Sequence, residues 1–229
     1  CKRKLFFFAK ATLFNNTFIN WILKNLQLVP VYRKQDDPSK ANKNTDTFEK
    51  GYQILEEDGA FLIFPEGIST GDRKLSKIKT GAARIGFGAM VRNNWELNIN
   101  IVPVGLSYSN AIKFKSNVII RYGKPIQLKS FEEEYKHDEI NCVNQLTTQI
   151  HTALSKLTTN VNDLESEEIV SALELIYKKE LMIDLGLDIK NKSDDFSATK
   201  GLVAGVEWYF KNRPSKVEEF KEMLKKYQD

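Results

Sequence analysis

A four-residue apolar run that stops on a proline constrains this chain more than any other feature. Phe61-Leu62-Ile63-Phe64 is short enough for a fully buried strand rather than a helix. Pro65 ends it, because proline has no amide donor and holds the residue before it extended. Glu66 and Gly67 follow at once, so a carboxylate and a freely turning backbone unit stand at the strand's carboxyl end. In an open α/β sheet, ligands bind there. The residues that come next are basic: Arg73, Lys74, Lys77, Lys79 and Arg84 against the single Asp72. This local excess of four equals the formal charge of the whole chain, +4, and points to an anionic substrate.

Composition narrows the class. With 229 residues, 41% hydrophobic and 28% charged, the chain can bury one good core with a small addition. The basic clusters lack the aromatic interleaving of a strand-binding groove, so no nucleic-acid partner is expected. Cys1 and Cys142 are too few for a disulfide framework and have no metal-ligand spacing, which predicts a reduced setting and no metal. No apolar run approaches the roughly 18 residues that cross a bilayer. The longest, residues 5–9, is broken by Lys10.

Taken in order, residues 5–8 follow the basic cluster Lys2-Arg3-Lys4 and read as a buried strand, with a seat on an anionic membrane surface as the alternative. Phe18, Ile22, Leu23 and Leu26 recur at helical spacing beside Trp21, predicting an amphipathic helix over 16–26 that packs on the sheet, with a membrane-inserting helix as the alternative. A strand over 28–32 ends at Arg33. A polar loop containing Pro38 follows, then a helix from Thr45 or Asp46 to about residue 58. Gly59 ends that helix before the strand 60–64. Strand–helix–strand connections favour parallel pairing. The small residues of 81–90 predict a helix packed closely on the sheet, whose amino-end amides converge with Lys79 on one anion. Residues 99–106 read as a strand interrupted by Pro103, therefore at an edge or a bulge, and 117–122 as another. Beyond residue 130 the pattern is helical. Ile140, Val143, Leu146, Ile150 and Leu154 form one stripe, and further helices fall near 165–185, 196–211 and 215–227.

Three ordered blocks then carry a resemblance. Phe64-Pro65-Glu66-Gly67 followed by Ser69 resembles the Phe-Pro-Glu-Gly-Thr-Arg-Ser block of the glycerophospholipid acyltransferases. Val29-Pro30-Val31-Tyr32-Arg33 upstream and Ile101-Val102-Pro103-Val104-Gly105-Leu106 downstream are similar to two further blocks of that family. The likeness extends over residues 1–128. It implies an α/β fold with a mixed, largely parallel sheet flanked by helices. The domains are then 1–128 and a helical carboxyl-terminal extension, 129–229. It implies transfer of a fatty acyl group from an acyl thioester, acyl-CoA or acyl carrier protein, with no other cofactor. The acceptor would be glycerol 3-phosphate or 1-acylglycerol 3-phosphate, in phospholipid synthesis at the cytoplasmic face of a membrane. The rival reading is a non-catalytic module that binds phosphate or a membrane surface.

Site residues follow from the same resemblance. Arg33, alone a surface charge, becomes a phosphate ligand within its block, where a forked guanidinium suits two oxygens at once. Glu66 is expected to hold acceptor hydroxyls or order the loop, Gly67 to let the backbone approach, and Pro103 to lie by the acyl donor. The family's Thr-Arg after Glu-Gly is Ile68-Ser69 here, so a phosphate-binding arginine is missing. Residues 68–73 look closest to a branch with a serine-containing segment, a basic stretch and a Lys-Thr-Gly helix start. There Arg73 or Lys79 would compensate, or Arg33, with Ser69 also among the substrate-binding residues. The family's general base is a His oriented by an Asp five positions later, ahead of the Pro-Val-Tyr-Arg block. His137 and His151 lie far downstream, followed five positions later by Cys142 and Lys156, and read as helix-surface residues. The pair is therefore expected upstream of Cys1, the parent to be an enzyme, and this chain alone to be inactive.

Overall fold

The computed structural model describes residues 3–32, 44–68, 73–108, 118–161 and 163–228. Its strands are β1 (Leu5–Lys10), β2 (Leu28–Val31), β3 (Ala60–Leu62), β4 (Asn100–Ile101), β5 (Val104–Tyr108), β6 (Val118–Tyr122) and β7 (Ile126–Gln127). The α-helices are α1 (Thr17–Asn25), α2 (Asn44–Glu56), α3 (Gly81–Arg92), α4 (Glu132–His137), α5 (Glu139–Leu157), α6 (Leu164–Ile176), α7 (Lys178–Asp184), α8 (Lys192–Asn212) and α9 (Pro214–Gln228). The chain divides into two compact units, each drawn from three stretches. The first holds Cys1–Gly67, Lys77–Val102 and Lys124–His151; the second holds Ile68–Ser76, Pro103–Gly123 and Thr152–Asp229. This division does not follow the single boundary expected between residues 128 and 129.

The first unit is built on a parallel sheet in the order β2-β1-β3, with Phe7 opposite both Leu28 and Leu62. Neither connection is a hairpin, because α1 and α2 each carry the chain back to start the next strand in the same direction. Asn16 caps α1, its side-chain oxygen accepting from the amides of Phe18 at 2.9 Å and Ile19 at 3.2 Å. Phe8 of the central strand stacks on Phe61 of β3 with ring centroids 4.7 Å apart. The order 2-1-3 reverses the winding direction between β1 and β3, which makes the crevice beyond their carboxyl ends the natural ligand position.

Helix α3 forms the core of this unit because its small residues let neighbours come close. A Cβ at Gly51 would meet Ile85 at 3.0 Å, and one at Gly88 would fall 2.4–2.5 Å from the Tyr52 ring and hydroxyl. Ala83, Ile85, Phe87, Ala89 and Met90 are buried along it. Phe87, wholly inaccessible, packs on Trp95, Phe131 and Tyr135, a burial that stabilises by about 2–3 kcal/mol. Polar pairs clamp the far end: Arg92 to Glu49 at 2.6 Å and to Glu56 at 3.1 Å, and Asn93 to Glu56 at 2.9 Å.

The expected strand over 99–106 is two strands. Pro103 separates β4, paired antiparallel with β7, from β5, paired antiparallel with β6. Proline has no donor for a ladder, and its carbonyl instead accepts the Gly123 amide at 2.8 Å. The helical pattern expected beyond residue 130 breaks at Asp138, whose extended backbone and side-chain bond to the Asn141 amide at 3.0 Å start α5. Its stripe is buried at Val143, Leu146, Ile150 and Leu154, but Ile140 is 76% exposed.

In the second unit β5 and β6 form a ladder from Val104 opposite Tyr122 to Tyr108 opposite Val118. The helices α6, α8 and α9 gather around Val161, Ile169, Val170, Val203, Val206 and Val217. Asp163 caps α6 through the Ser166 amide at 2.8 Å, and Asn191 caps α8 through the Ser193 amide at 2.8 Å. The helix expected over 165–185 is broken at Tyr177 into α6 and α7. No helix among the described residues is long and apolar enough to cross a membrane.

Candidate active site

The turn that follows β3 is fixed from both ends. The Gly67 amide donates to the Phe64 carbonyl at 3.1 Å, closing a β-turn with Pro65 and Glu66 at its centre. Pro65 suits the second position of such a turn because its φ is already set. Its carbonyl then accepts the Lys79 amide at 2.8 Å, which docks the approach to α3 against the turn. Gly67 has φ +67°, a backbone region that a side chain disfavours. A Cβ there would stand 3.1 Å from Lys79 Nζ and 3.3 Å from its Cε, so the lysine side chain lies directly over the glycine.

Glu66 is half-buried and Lys79 exposed, so a carboxylate and an ammonium flank one glycine at the carboxyl edge of the sheet. Thr80 follows, with its carbonyl accepting the Arg84 amide at 2.9 Å inside the first turn of α3. No acidic residue occupies that turn, which leaves the positive end of the helix dipole uncompensated there. This combination suits an acceptor with a phosphate and a hydroxyl: a cation and helix amides for the first, a carboxylate acceptor for the second. No cluster of His, Cys, Asp or Glu able to hold a metal occurs among the described residues.

Arg33 and Ser69 lie outside the described residues. Arg73 belongs to the second unit, where its guanidinium reaches Glu174 at 2.6 Å and Glu167 at 3.2 Å. Glu174 also accepts from Thr199 at 2.6 Å, and Lys178 bridges it to Asp195. The Arg73 carbonyl accepts the Val161 amide at 2.8 Å. Arg73 thus serves an internal network rather than standing as an open phosphate ligand. Pro103 is buried in the same unit, beside Gly123. His137 ends α4 exposed and His151 sits half-buried on α5.

Two features were not singled out from the sequence. Lys10 closes the central strand β1 at the same sheet edge as the Glu66 turn, and its only sequence signal is a cation ending an apolar run. A cleft of about 90 Å³ is lined by Phe48, Tyr52, Arg84, Tyr135 and Glu139. Burial raises the pKa of both tyrosines above the ordinary phenol value, Tyr135 with help from its hydrogen bond to Glu139, so both stay protonated at neutral pH.

Comparison with known proteins shows what the chain is similar to. The model of the family described as Acyltransferase matches residues 1–107. Residues 1–107 are therefore similar to that family. The matched residues include the whole parallel sheet, the Glu66 turn and α3, and run into β5. Two relatives come from Saccharomyces cerevisiae. Glycerol-3-phosphate O-acyltransferase 2 is 32% identical over 136 residues, 59% of this chain and 18% of that protein. Glycerol-3-phosphate O-acyltransferase 1 is 27% identical over 165 residues, 71% of this chain and 21% of that protein. The chain therefore spans about one fifth of the length of these relatives. Among solved structures, the 1-acyl-sn-glycerophosphate (LPA) acyltransferase PlsC of Thermotoga maritima aligns at a TM-score of 0.45 and 17% identity. That alignment covers 66% of this chain and 54% of the other.

Proposed function

We propose that the protein to which this acyltransferase-like domain belongs transfers a fatty acyl group from an acyl thioester to the hydroxyl of glycerol 3-phosphate or 1-acylglycerol 3-phosphate. The observation that carries this reading is the Pro65–Glu66–Gly67 turn at the carboxyl end of β3, with the Lys79 side chain over Gly67. The yeast relatives, by their names, act on glycerol 3-phosphate, which supports the acceptor class. In the reaction the acceptor hydroxyl attacks the thioester carbonyl, a C–O bond forms, the C–S bond breaks, and the hydroxyl proton passes through a general base to the departing thiolate. Lys79 and the amides at the start of α3 hold the acceptor phosphate, and Glu66 accepts from an acceptor hydroxyl. Arg33 is the second phosphate ligand. Neither His137 nor His151 serves as the base, and the 229-residue chain alone turns over no substrate. The donor is acyl-CoA or an acyl carrier protein thioester, and the reaction runs at the cytoplasmic face of a membrane in phospholipid synthesis.

Acyl transfer by the full-length parent tests this, with labelled acyl-CoA or acyl carrier protein thioester offered to glycerol 3-phosphate and lysophosphatidate in parallel. Turnover that is lost in Glu66→Ala and in Arg33→Ala is the expected result and names the acceptor. No turnover with any pair, alongside retained phosphate or lipid binding, would overturn the reading in favour of a binding module.

A further inference from the structure

The first crossover helix does not do what its stripe predicts. Helix α1 buries no residue: Ile22 and Leu23 are half-buried, while Phe18 is 70% and Trp21 64% exposed. The two aromatic rings stack on each other with centroids 6.5 Å apart, so a single continuous aromatic surface faces outward. Leu13, in the 3-10 turn ahead of the helix, and Leu26, just past its end, are more than half exposed as well. Lys24 is exposed in the last turn. Charge is distributed unevenly along the sequence. Seven of the 34 Lys and Arg residues lie in the first 35 positions, where there is no Asp or Glu, whereas the rest of the chain carries 27 against 30. Arg3 pairs with Asp58.

We propose that the outer face of α1 is an interfacial docking surface for an anionic phospholipid bilayer, with Phe18 and Trp21 seated at the headgroup boundary. Trp is the side chain best suited to that boundary, since its ring is apolar and its N–H stays near water. A nine-residue helix lying in the interface plane needs no spanning length, and an acid-free basic segment is drawn to a negative surface by about fivefold per Lys or Arg. A protein partner would be recognised by matching acidic groups; the bilayer requires only negative charge and a place for two rings. The inference deepens the membrane-surface part of the reading above, and its test reads binding rather than acyl transfer, so the two fail separately.

The test is sedimentation of the 229-residue chain with vesicles of phosphatidylcholine alone or mixed with phosphatidylserine. Binding is expected to the mixed vesicles only, to weaken at high salt, and to fall about tenfold in Phe18→Ser/Trp21→Ser. The matched control is Trp208→Ser/Tyr209→Ser, which removes another exposed, mutually packed aromatic pair, on α8; it should leave binding unchanged. Quenching by bromine-labelled lipid should disappear in Trp21→Phe and persist in Trp208→Phe. Absence of vesicle binding, equal loss in both double variants, or quenching that survives Trp21→Phe would overturn the proposal. Self-association that Phe18→Ser/Trp21→Ser abolishes, without vesicle binding, would assign the same face to a second copy instead.

Discussion

A methyl group on residue 67 meets two obstacles at once, a backbone at φ +67° and the Lys79 side chain 3.1 Å away. Gly67→Ala is therefore expected to cost roughly 1–2 kcal/mol in urea unfolding, and to lower acyl transfer by the parent beyond what that loss explains. Lys79→Ala has no fold to disturb, being exposed, and should raise KM for the phosphate-bearing acceptor about tenfold while KM for the acyl donor stays fixed. Equal changes in both would remove Lys79 from the acceptor. Arg73→Ala should behave in the opposite way. It leaves Glu167 and Glu174 without their guanidinium, and its signature is a loss of stability. Water reaches the pair, with side chains 28% and 18% exposed, so the loss should be roughly 1–2 kcal/mol rather than the 3–5 of a fully buried ion pair. A thermal melt reads it. The sequence distinguishes poorly between these two cations. Both lie in one basic run, and what separates them is a pair of carboxylates about a hundred residues downstream that no local pattern connects to Arg73. The Glu66–Gly67 turn was legible because a proline and a glycine are local facts, but the strand before it, read as fully buried to Phe64, stops at Leu62, is half-buried and leaves Phe64 62% exposed.

At the scale of elements, the glycines of α3 have unequal neighbours. A Cβ at Gly86 meets only the Leu128 Cδ1 tip, whereas one at Gly88 meets the rigid ring of Tyr52. Gly88→Ala is expected to push α2 from α3 and destabilise by about 1–3 kcal/mol despite the gain in helix propensity. Gly86→Ala should cost less than half as much, and denaturant titration of the two variants checks the order. Strand–helix alternation up to residue 92 could be read directly, since each period is long enough to declare itself. The strand at 99–106 could not, because a proline inside an apolar run marks equally a bulge, an edge or a change of sheet. Only the partner strands, β7 for β4 and β6 for β5, settle which. The stripe of α1 misled for a different reason: spacing shows which residues share a face, not whether anything lies against it.

For the molecule as a whole, packing divides the chain into units that sequence continuity does not suggest. Composition changes near residue 130, yet β5 and β6 group with α6 to α9. Val170→Ala removes buried carbons from the core of the second unit, where Val170 is fully inaccessible. Hydrogen exchange should then show amides of α6, α8 and α9 losing protection before those of the β2-β1-β3 sheet. Simultaneous loss would mean that both units open together. Their interleaving also bears on synthesis. The strands β1 to β3 are complete by residue 62, but the helices that finish their unit extend to His151. At ribosomal speeds the phenylalanine-rich sheet waits roughly 5–20 s for its covering segments. A nascent chain halted in that interval should be a better chaperone client, and a better protease target, than one released a hundred residues later.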